Sequence, residues 1–386
     1  MKGAYVCSDR GVPAFGSKGC SLHIQEVIRA MMAQGIELSL FAAATGNHCP
    51  SDLCAIEFHK LKHAKIHDRY LREQSDIKDN IDILHQLDKH APYEFIYERY
   101  SLWSHAGMSY GDKYNIPTIL EVNAPLIEEQ KKFRTLHDEQ SALDISKRCF
   151  DNAKIILAVS NQVADYLDGF SQARGKIHVI PNGVNTDKFS GIVHQASNHK
   201  NQTTIGFVGT LKPWHGVNQL IESFLLVTQL HPHTRLLIVG DGPERDALQQ
   251  QVHELGLDSK VTFTGAVPTD AMGQYYRQMD IAVAPYPEQP SFYFSPLKIY
   301  EYMAAGLPTV SSDLGQIGDI IQHGKNGLLY DAKNPESLFF ALSYLIHNPK
   351  IRTSLGKNAR EEAKSKHSWT LRIQSILALA GLQEAA

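Results

Sequence analysis

The sequence has little that would commit its 386 residues to a membrane span, a disulfide framework or a nucleic acid. No run approaches the roughly 18 consecutive apolar residues that a membrane-crossing helix requires, and Met1 to Cys7 lacks the basic flank and long apolar core of a secretory leader. The five cysteines, Cys7, Cys20, Cys49, Cys54 and Cys149, are odd in number and confined to the first half, so reduced thiols are expected. Neither charge dominates: the net charge of −3 offers no general attraction for nucleic acid or an anionic surface. These features predict a cytoplasmic protein, at the inner face of a membrane if it meets one. His48, Cys49, Cys54 and His59 are too loosely spaced for a zinc site, with no second Cys pair following, so no metal and no resident cofactor are expected. Also missing is any GxGxxG followed about 20 residues later by an acid, which weighs against an NAD-dependent oxidoreductase.

What is present is soluble, globular chemistry, 43% hydrophobic and 20% charged, in a chain long enough for two domains. Strands alternate with helices twice over. In the first half, strands are expected at Ala4–Ser8, Ile36–Ala42, Phe95–Tyr97, Thr118–Val122, Lys154–Ser160 and Lys176–Ile180. In the second they are expected at Thr204–Val208, Leu236–Val239, Val261–Thr264, Ile281–Ala284 and Thr309–Ser311. The alternation predicts two doubly wound α/β domains. Polar Ser190–Gln202 reads as the linker, giving domains 1–190 and 191–368, and Ser337–Ile346, Ile351–Ala363 and Trp369–Leu379 read as closing helices.

The stretch SFYFSPLKIYEYMAAG, Ser291 to Gly306, suits a helix that holds an anion at one end. Ser295 is placed to cap it and Pro296 to open it, with Lys298 one turn in and Glu301 three residues further, where a carboxylate can accept ribose hydroxyls. An amphipathic core helix with a surface Lys-Glu pair fits the same residues. Parallel sheets of this kind take ligands at the carboxyl ends of their strands. Gly16, Ser17, Lys18 and Gly19, just before the first helix, form either a close backbone approach to an anion or a structural turn. Two strand ends carry polar clusters, Arg99, Tyr100 and Ser101, then Glu121, Asn123, Ala124 and Pro125, which read as ordinary loop polarity singly and as an acceptor pocket together. His59–Arg72, with three lysines and two arginines among apolar residues, is either a solvated face or a contact for a membrane or anionic acceptor.

Several motifs then fall in one order: PNGV with Phe189 shortly after, GTLKPWHG, VGDGPER, GAVPTD before YYRQMD, and SPLKIYEYMAAGLP followed by NGLLY. The series resembles glycosyltransferase family 4, in a subgroup with SPxK and WHG variants. It is clearest from Lys176 to about Trp369, while the N-terminal half matches in layout through SKGCSLHIQE. The resemblance implies a GT-B fold, two Rossmann-like domains facing a cleft, and a retaining, metal-independent transfer of sugar from a nucleotide-diphosphate sugar to a saccharide, lipid-linked or small-molecule acceptor. The N-terminal domain would bind acceptor, completed by the helix from Trp369, and the C-terminal domain would bind donor.

Carried over by position, Glu301 would meet the ribose. Lys298 and the amides from Ser295 to Leu297 would meet the diphosphate, with Gly209 and the loop Thr210 to Gly216, while Val267 lies where relatives hold the base. Lys298, Lys212 and Asn123 are the expected catalytic residues. Tyr293, Thr210 and His215 join the donor site, and Gly16, Lys18, Gly19, Arg99, Tyr100 and Glu121 the acceptor site. Three positions depart from the family: Tyr293 replaces the first glutamate of E-x7-E, Thr210 and His215 replace a basic pair, and Asn123 stands where a histidine is frequent. A catalytically silent sugar-nucleotide binder is the alternative they leave open. No heptad speaks to oligomeric state.

Overall fold

A computed structural model describes residues 1–46, 49–192 and 202–383. It divides into two compact units, Met1–Asn182 joined by the segment from Trp369, and Gly183–Ser368. The division falls after Asn182, not after residue 190 as the polarity of Ser190–Gln202 led us to expect. Residues 193–201 of that stretch lie outside the described residues.

The first unit runs β1 (Lys2–Cys7), α1 (Gly19–Ala33), β2 (Glu37–Ala42), β3 (Glu57–Lys60), α2 (Arg69–His90), β4 (Phe95–Arg99), α3 (Ala106–Tyr114), β5 (Thr118–Val122), α4 (Leu126–Phe133), α5 (Glu139–Asn152), β6 (Ile155–Ala158), α6 (Asn161–Asp168) and β7 (Ile177–Val179). Its seven strands are ordered β3-β2-β1-β4-β5-β6-β7 and every pair is parallel. Central strands are buried on both faces, as their largely apolar sequences require, with Glu121 of β5 a buried charge among them. β3 went unforeseen because Glu57-Phe58-His59-Lys60 is polar and short, as an edge strand is. The basic stretch His59–Arg72 is not one helix: it is the end of β3, a connection that buries Leu61, and the first turn of α2.

The second unit runs β8 (Thr203–Val208), α7 (Val217–Leu230), β9 (Thr234–Val239), α8 (Arg245–Glu254), β10 (Val261–Phe263), α9 (Met272–Tyr276), β11 (Ile281–Ala284), α10 (Leu297–Ala305), β12 (Thr309–Ser312), α11 (Ile317–Ile320), β13 (Gly327–Tyr330), α12 (Pro335–His347) and α13 (Pro349–Lys366). Its parallel sheet is ordered β10-β9-β8-β11-β12-β13. The last helix, α14 (Trp369–Leu379), belongs to the first unit, where Trp369 meets the His23 ring of α1 edge-on at 4.9 Å and Lys154 Nζ donates to the Ala380 carbonyl at 2.7 Å.

In each unit the strand order reverses beside the first strand, between β1 and β4 and between β8 and β11. Strands on either side of such a point send their connections to opposite faces and leave a crevice at their carboxyl ends. Between β8 and β11 the pairing stops after Gly206 and Ala282. Tyr302 of α10 spans the gap: its hydroxyl accepts from the Val208 N–H at 2.8 Å and donates to the Val283 carbonyl at 3.3 Å. Two backbone groups at the splay are thereby satisfied, and α10 is fixed over the crevice.

Candidate functional site

The crevice of the second unit is built from loops that follow β8, β9 and β11. The turn after β8 crosses the turn after β9 at two glycines. Gly240 has φ +137, and a β-carbon on it would lie 2.0 Å from the Gly209 carbonyl oxygen, so no side chain fits. Gly216 has φ +66 and would drive a β-carbon to 1.8 Å from the Pro285 carbonyl oxygen, which lets the loop after β8 pass under the segment after β11. Leu211 N–H donates to the Asp241 carbonyl at 2.9 Å and completes the crossing.

Lys298 enters this frame from the first turn of α10. Only 8% exposed, its Nζ has no hydrogen-bond partner and stands 4.2 Å from the Phe207 ring centre and 5.2 Å from that of Tyr286. A β-carbon on Gly209 would come within 2.9 Å of that Nζ. Burial pushes the ammonium down to about 7, against the pull of nearby Glu301. A buried cation without a partner is costly, and this one sits beside the positive end of a helix. The arrangement is complementary to an anion.

α10 begins at Leu297 with Pro296 in the capping position, one residue later than the cap at Ser295 had implied. Pro296 brings no N–H to a place where one would be unsatisfied. Ser295 is buried at the approach, and the amides of Leu297 and Lys298 are the first of the helix. One turn on, Glu301 accepts from the Tyr276 hydroxyl at 2.8 Å, which fixes the carboxylate. Val267 packs against the same core near Gly265, whose carbonyl accepts from the Gly240 N–H at 3.1 Å. Tyr293 lies with its ring 4.5 Å from that of Phe294.

His215 is the main electrostatic correction. Burial first, then the charges of Lys298 and Lys212, press its imidazole down to about 3, so it is neutral at physiological pH. Its Nδ1 is hydrogen-bonded to the Thr210 carbonyl, which can only accept, and the proton therefore resides on Nδ1. His215 thus brings a neutral ring and adds no positive charge to the loop. Lys212 is the lysine of the same loop, its Nζ 5.4 Å from the Trp214 ring centre.

In the first unit the polar strand ends do meet, but largely with one another. Glu121 is buried and accepts from the Tyr97 hydroxyl at 2.8 Å and from Asn123 Nδ2 at 2.7 Å; Arg99 Nη1 lies 3.5 Å away and His23 Nε2 is in contact. Burial alone would raise its carboxyl, yet His23, Arg99 and Asn123 hold it down at about 2. Glu121 is therefore an internal hub, and its partners Asn123 and Arg99 are oriented by it. Tyr100 turns into the core, its hydroxyl 2.6 Å from Ser146 Oγ. Of the proposed acceptor residues, Gly16, Lys18 and Gly19 lie at the opening of α1, where Gln25 Nε2 donates to the Gly16 carbonyl at 2.9 Å. His23, Gly240, Tyr276 and Tyr302 were not foreseen. Tyr302 carries the helical apolar period and reads as core, so only its hydroxyl, invisible to periodicity, could have distinguished it.

Cys49 and Cys54 direct their thiols at nearby backbone carbonyls and do not gather with His59, and His48 lies outside the described residues. Among the described residues no helix is long and apolar enough to cross a membrane.

Comparison with known proteins places these features. Residues 17–188 match the family model described as Glycosyltransferase Family 4, and residues 191–362 the one described as Glycosyl transferases group 1. An uncharacterized glycosyltransferase of Methanocaldococcus jannaschii is 28% identical over 229 residues, 57% of each chain, so the match spans little more than half of that relative's length. A D-inositol 3-phosphate glycosyltransferase of Corynebacterium jeikeium is 26% identical over 74% of this chain and 71% of its own. The Anabaena protein HepE, solved in complex with UDP, superposes with a TM-score of 0.76 over 99% of this chain and 100% of its own at 19% identity, which bears on fold alone. With two family models covering its two halves and parallel doubly wound sheets in both, the chain belongs to glycosyltransferase family 4 and has the GT-B fold.

Proposed function

We propose that the protein is a retaining, metal-independent transferase that binds the nucleotide diphosphate of an NDP-sugar in the second unit and passes the sugar to an acceptor hydroxyl. One observation carries the reading: Lys298 Nζ is buried, without a hydrogen-bond partner, and aimed at Gly209 beside the N-terminus of α10. A diphosphate supplies the missing partner. Glu301, held by Tyr276, is set for ribose hydroxyls, and Lys212 adds charge as the leaving oxygen develops its own. In the transfer itself the acceptor oxygen bonds to the anomeric carbon as the bond from that carbon to the diphosphate breaks, and the hydroxyl proton passes to a leaving phosphate oxygen. Asn123, Arg99 and the opening of α1 are the acceptor-side groups.

A membrane-proximal acceptor has a specific feature in its favour. Tyr70, Leu71 and Phe133 are 49%, 56% and 66% exposed, and Arg69 Nη1 donates to the Arg134 carbonyl at 2.7 Å, joining the start of α2 to the end of α4. Arg69, Lys132 and Arg134 adjoin these apolar residues in sequence, with Lys132 Nζ 5.2 Å from the Phe133 ring centre, the composition of a peripheral contact with anionic lipid at the cytoplasmic face. The silent-binder reading rests on Tyr293, which cannot act as the carboxylate it replaces.

A panel of nucleotide sugars tests both readings, with calorimetric binding followed alongside slow donor hydrolysis in the absence of acceptor. Binding and hydrolysis of one donor support transfer. Binding with no turnover, even with candidate acceptors present, supports the silent binder, and no binding of any nucleotide sugar overturns the site.

A further inference from the structure

Far along the first sheet from these strand ends, at its edge, Glu57, His59 and His90 converge. Glu57 and His59 are two apart on β3 and so share a face, while His90 is the last residue of α2. We propose that these three side chains bind one zinc-class divalent cation, with water as a fourth ligand, clipping the edge strand to the end of α2.

The argument is geometric. His59 Nε2 is 3.1 Å and His90 Nδ1 3.5 Å from Glu57 Oε1, and the ligand atoms of all three lie within 4.8 Å of one another. Tetrahedral zinc with bonds of about 2.0–2.2 Å to nitrogen and oxygen separates its ligands by roughly 3.3–3.5 Å, close to the two distances from Glu57 Oε1, and the stacked imidazoles would splay apart to bring both nitrogens onto the ion. His59 Nε2 is buried and has the Glu57 carboxylate as its neighbour, a pairing that an ion between the two would replace. The two imidazole rings lie 3.7 Å apart at 36°, and His59 is backed by Phe41 at 4.6 Å, which fixes its plane.

The outer partners divide the carboxylate. Ser39 Oγ donates to Glu57 Oε2 at 2.6 Å and Lys2 Nζ lies 3.3 Å from the same oxygen, leaving Oε1 to face the imidazoles. Such anchoring of a ligating carboxylate is usual in metal sites. Glu57 is 42% and His90 23% exposed, which leaves a route for the ion and room for water. Two imidazoles and a carboxylate select zinc or a neighbouring first-row ion over magnesium or calcium. The other His-carboxylate group, His63 with Asp76 and Asp79, already holds a cation: Arg10 Nη2 contacts Asp76 and lies 3.5 Å from Asp79. The proposed ion is structural and separate from the transfer chemistry, so the two readings stand or fall independently.

The test is titration of the full chain, stripped with chelator, with zinc chloride by calorimetry and thermal melting, using cobalt(II) as a visible probe of coordination. One ion per chain is expected, with four-coordinate cobalt absorption and a Tm rise of about 5–10 °C at 100 times Kd. H59Q and H90Q, checked by circular dichroism for native fold, should each weaken binding at least about tenfold, while H63Q and the C49S/C54S pair bind as wild type. A wild-type chain that takes no zinc at millimolar concentration overturns the site. So does binding that survives H59Q and H90Q, or that is lost instead with H63Q or C49S/C54S.

Discussion

Replacing Lys298 by methionine should make the free protein more stable and the donor site useless. In the fold the ammonium drops from its ordinary 10.5 to about 7 because it is buried. At about 1.4 kcal/mol per pH unit, that difference corresponds to roughly 4–5 kcal/mol against holding the charge. The faces of Phe207 and Tyr286, 4.2 and 5.2 Å away, return about 1–2 kcal/mol of it as cation–π attraction. A methionine of similar length escapes both terms, so K298M should gain on the order of 2–4 kcal/mol at pH 6.

The pH dependence fixes the sign. Between about 7 and 10.5 the unfolded chain binds a proton at this lysine that the folded chain does not, so wild-type stability rises with pH across that window. The advantage of K298M is therefore full below pH 7 and nearly gone by pH 10. Urea denaturation of both proteins at pH 6 and at pH 9.5 measures it, and calorimetry with UDP in buffers of different ionisation enthalpy gives the second readout. Near pH 8 the wild type should take up a proton as the diphosphate restores the ammonium, and K298M should bind at least about tenfold more weakly without that uptake. A K298M protein destabilised equally at both pH values, or one that binds UDP normally, would refute the reasoning.

Four further outcomes follow from the same geometry. E301A should weaken nucleotide binding by at least about tenfold, measured against C49S, which should bind and turn over as wild type. G216A, forced into φ +66 and against the Pro285 carbonyl, should lose about 2–4 kcal/mol in denaturant unfolding together with nucleotide binding, whereas G175A, at φ +77 with open space, should lose only about 1 kcal/mol. E121Q should cost about 3–5 kcal/mol at neutral pH; because the folded carboxyl lies near 2 and an ordinary one at 4.5, the wild-type advantage should persist above pH 4.5 and vanish as the pH falls through 2. F133S combined with L71S should reduce sedimentation with phosphatidylglycerol vesicles at least about tenfold and leave soluble-donor binding unchanged, and equal sedimentation would remove the membrane contact.

Short buried strands were legible: Ile281–Ala284 is wholly apolar and Thr118–Val122 carries Ile, Leu and Val around the buried Glu121, and both have the expected bounds. The polar edge strand β3 was not, since Glu57 and His59 are there for neighbours distant in sequence. The glycine loop after β8 and the proline at the start of α10 could be read because tight turns favour glycine and a helix start tolerates proline, both local requirements, whereas the partner glycine of the crossing, Gly240, could not. The neutral state of His215 was not legible, for its burial beside Lys298 involves Tyr286 in the segment after β11, about seventy residues away in the chain. The acceptor side failed for a related reason. Sequence marks Arg99, Tyr100, Glu121 and Asn123 as polar residues at strand ends, but cannot say which face outward and which bind one another.

The two crevices share a winding and differ in what their buried charges have to hold. Glu121 has a hydroxyl, an amide, a guanidinium and an imidazole around it, and removing any ligand would leave it satisfied. Lys298 has two aromatic faces and an open glycine turn. A saturated buried charge organises its neighbours; an unsaturated one makes the free protein less stable, and selection retains such a group only where binding returns the energy. On this argument the first unit's Glu121 is scaffold that holds Asn123 and Arg99, and an acceptor is to be sought through those two half-buried groups. On the same argument the second unit's lysine is the group through which the proposed donor contact is to be tested, because of these two buried charges it is the one that lacks a hydrogen-bond partner among the described residues.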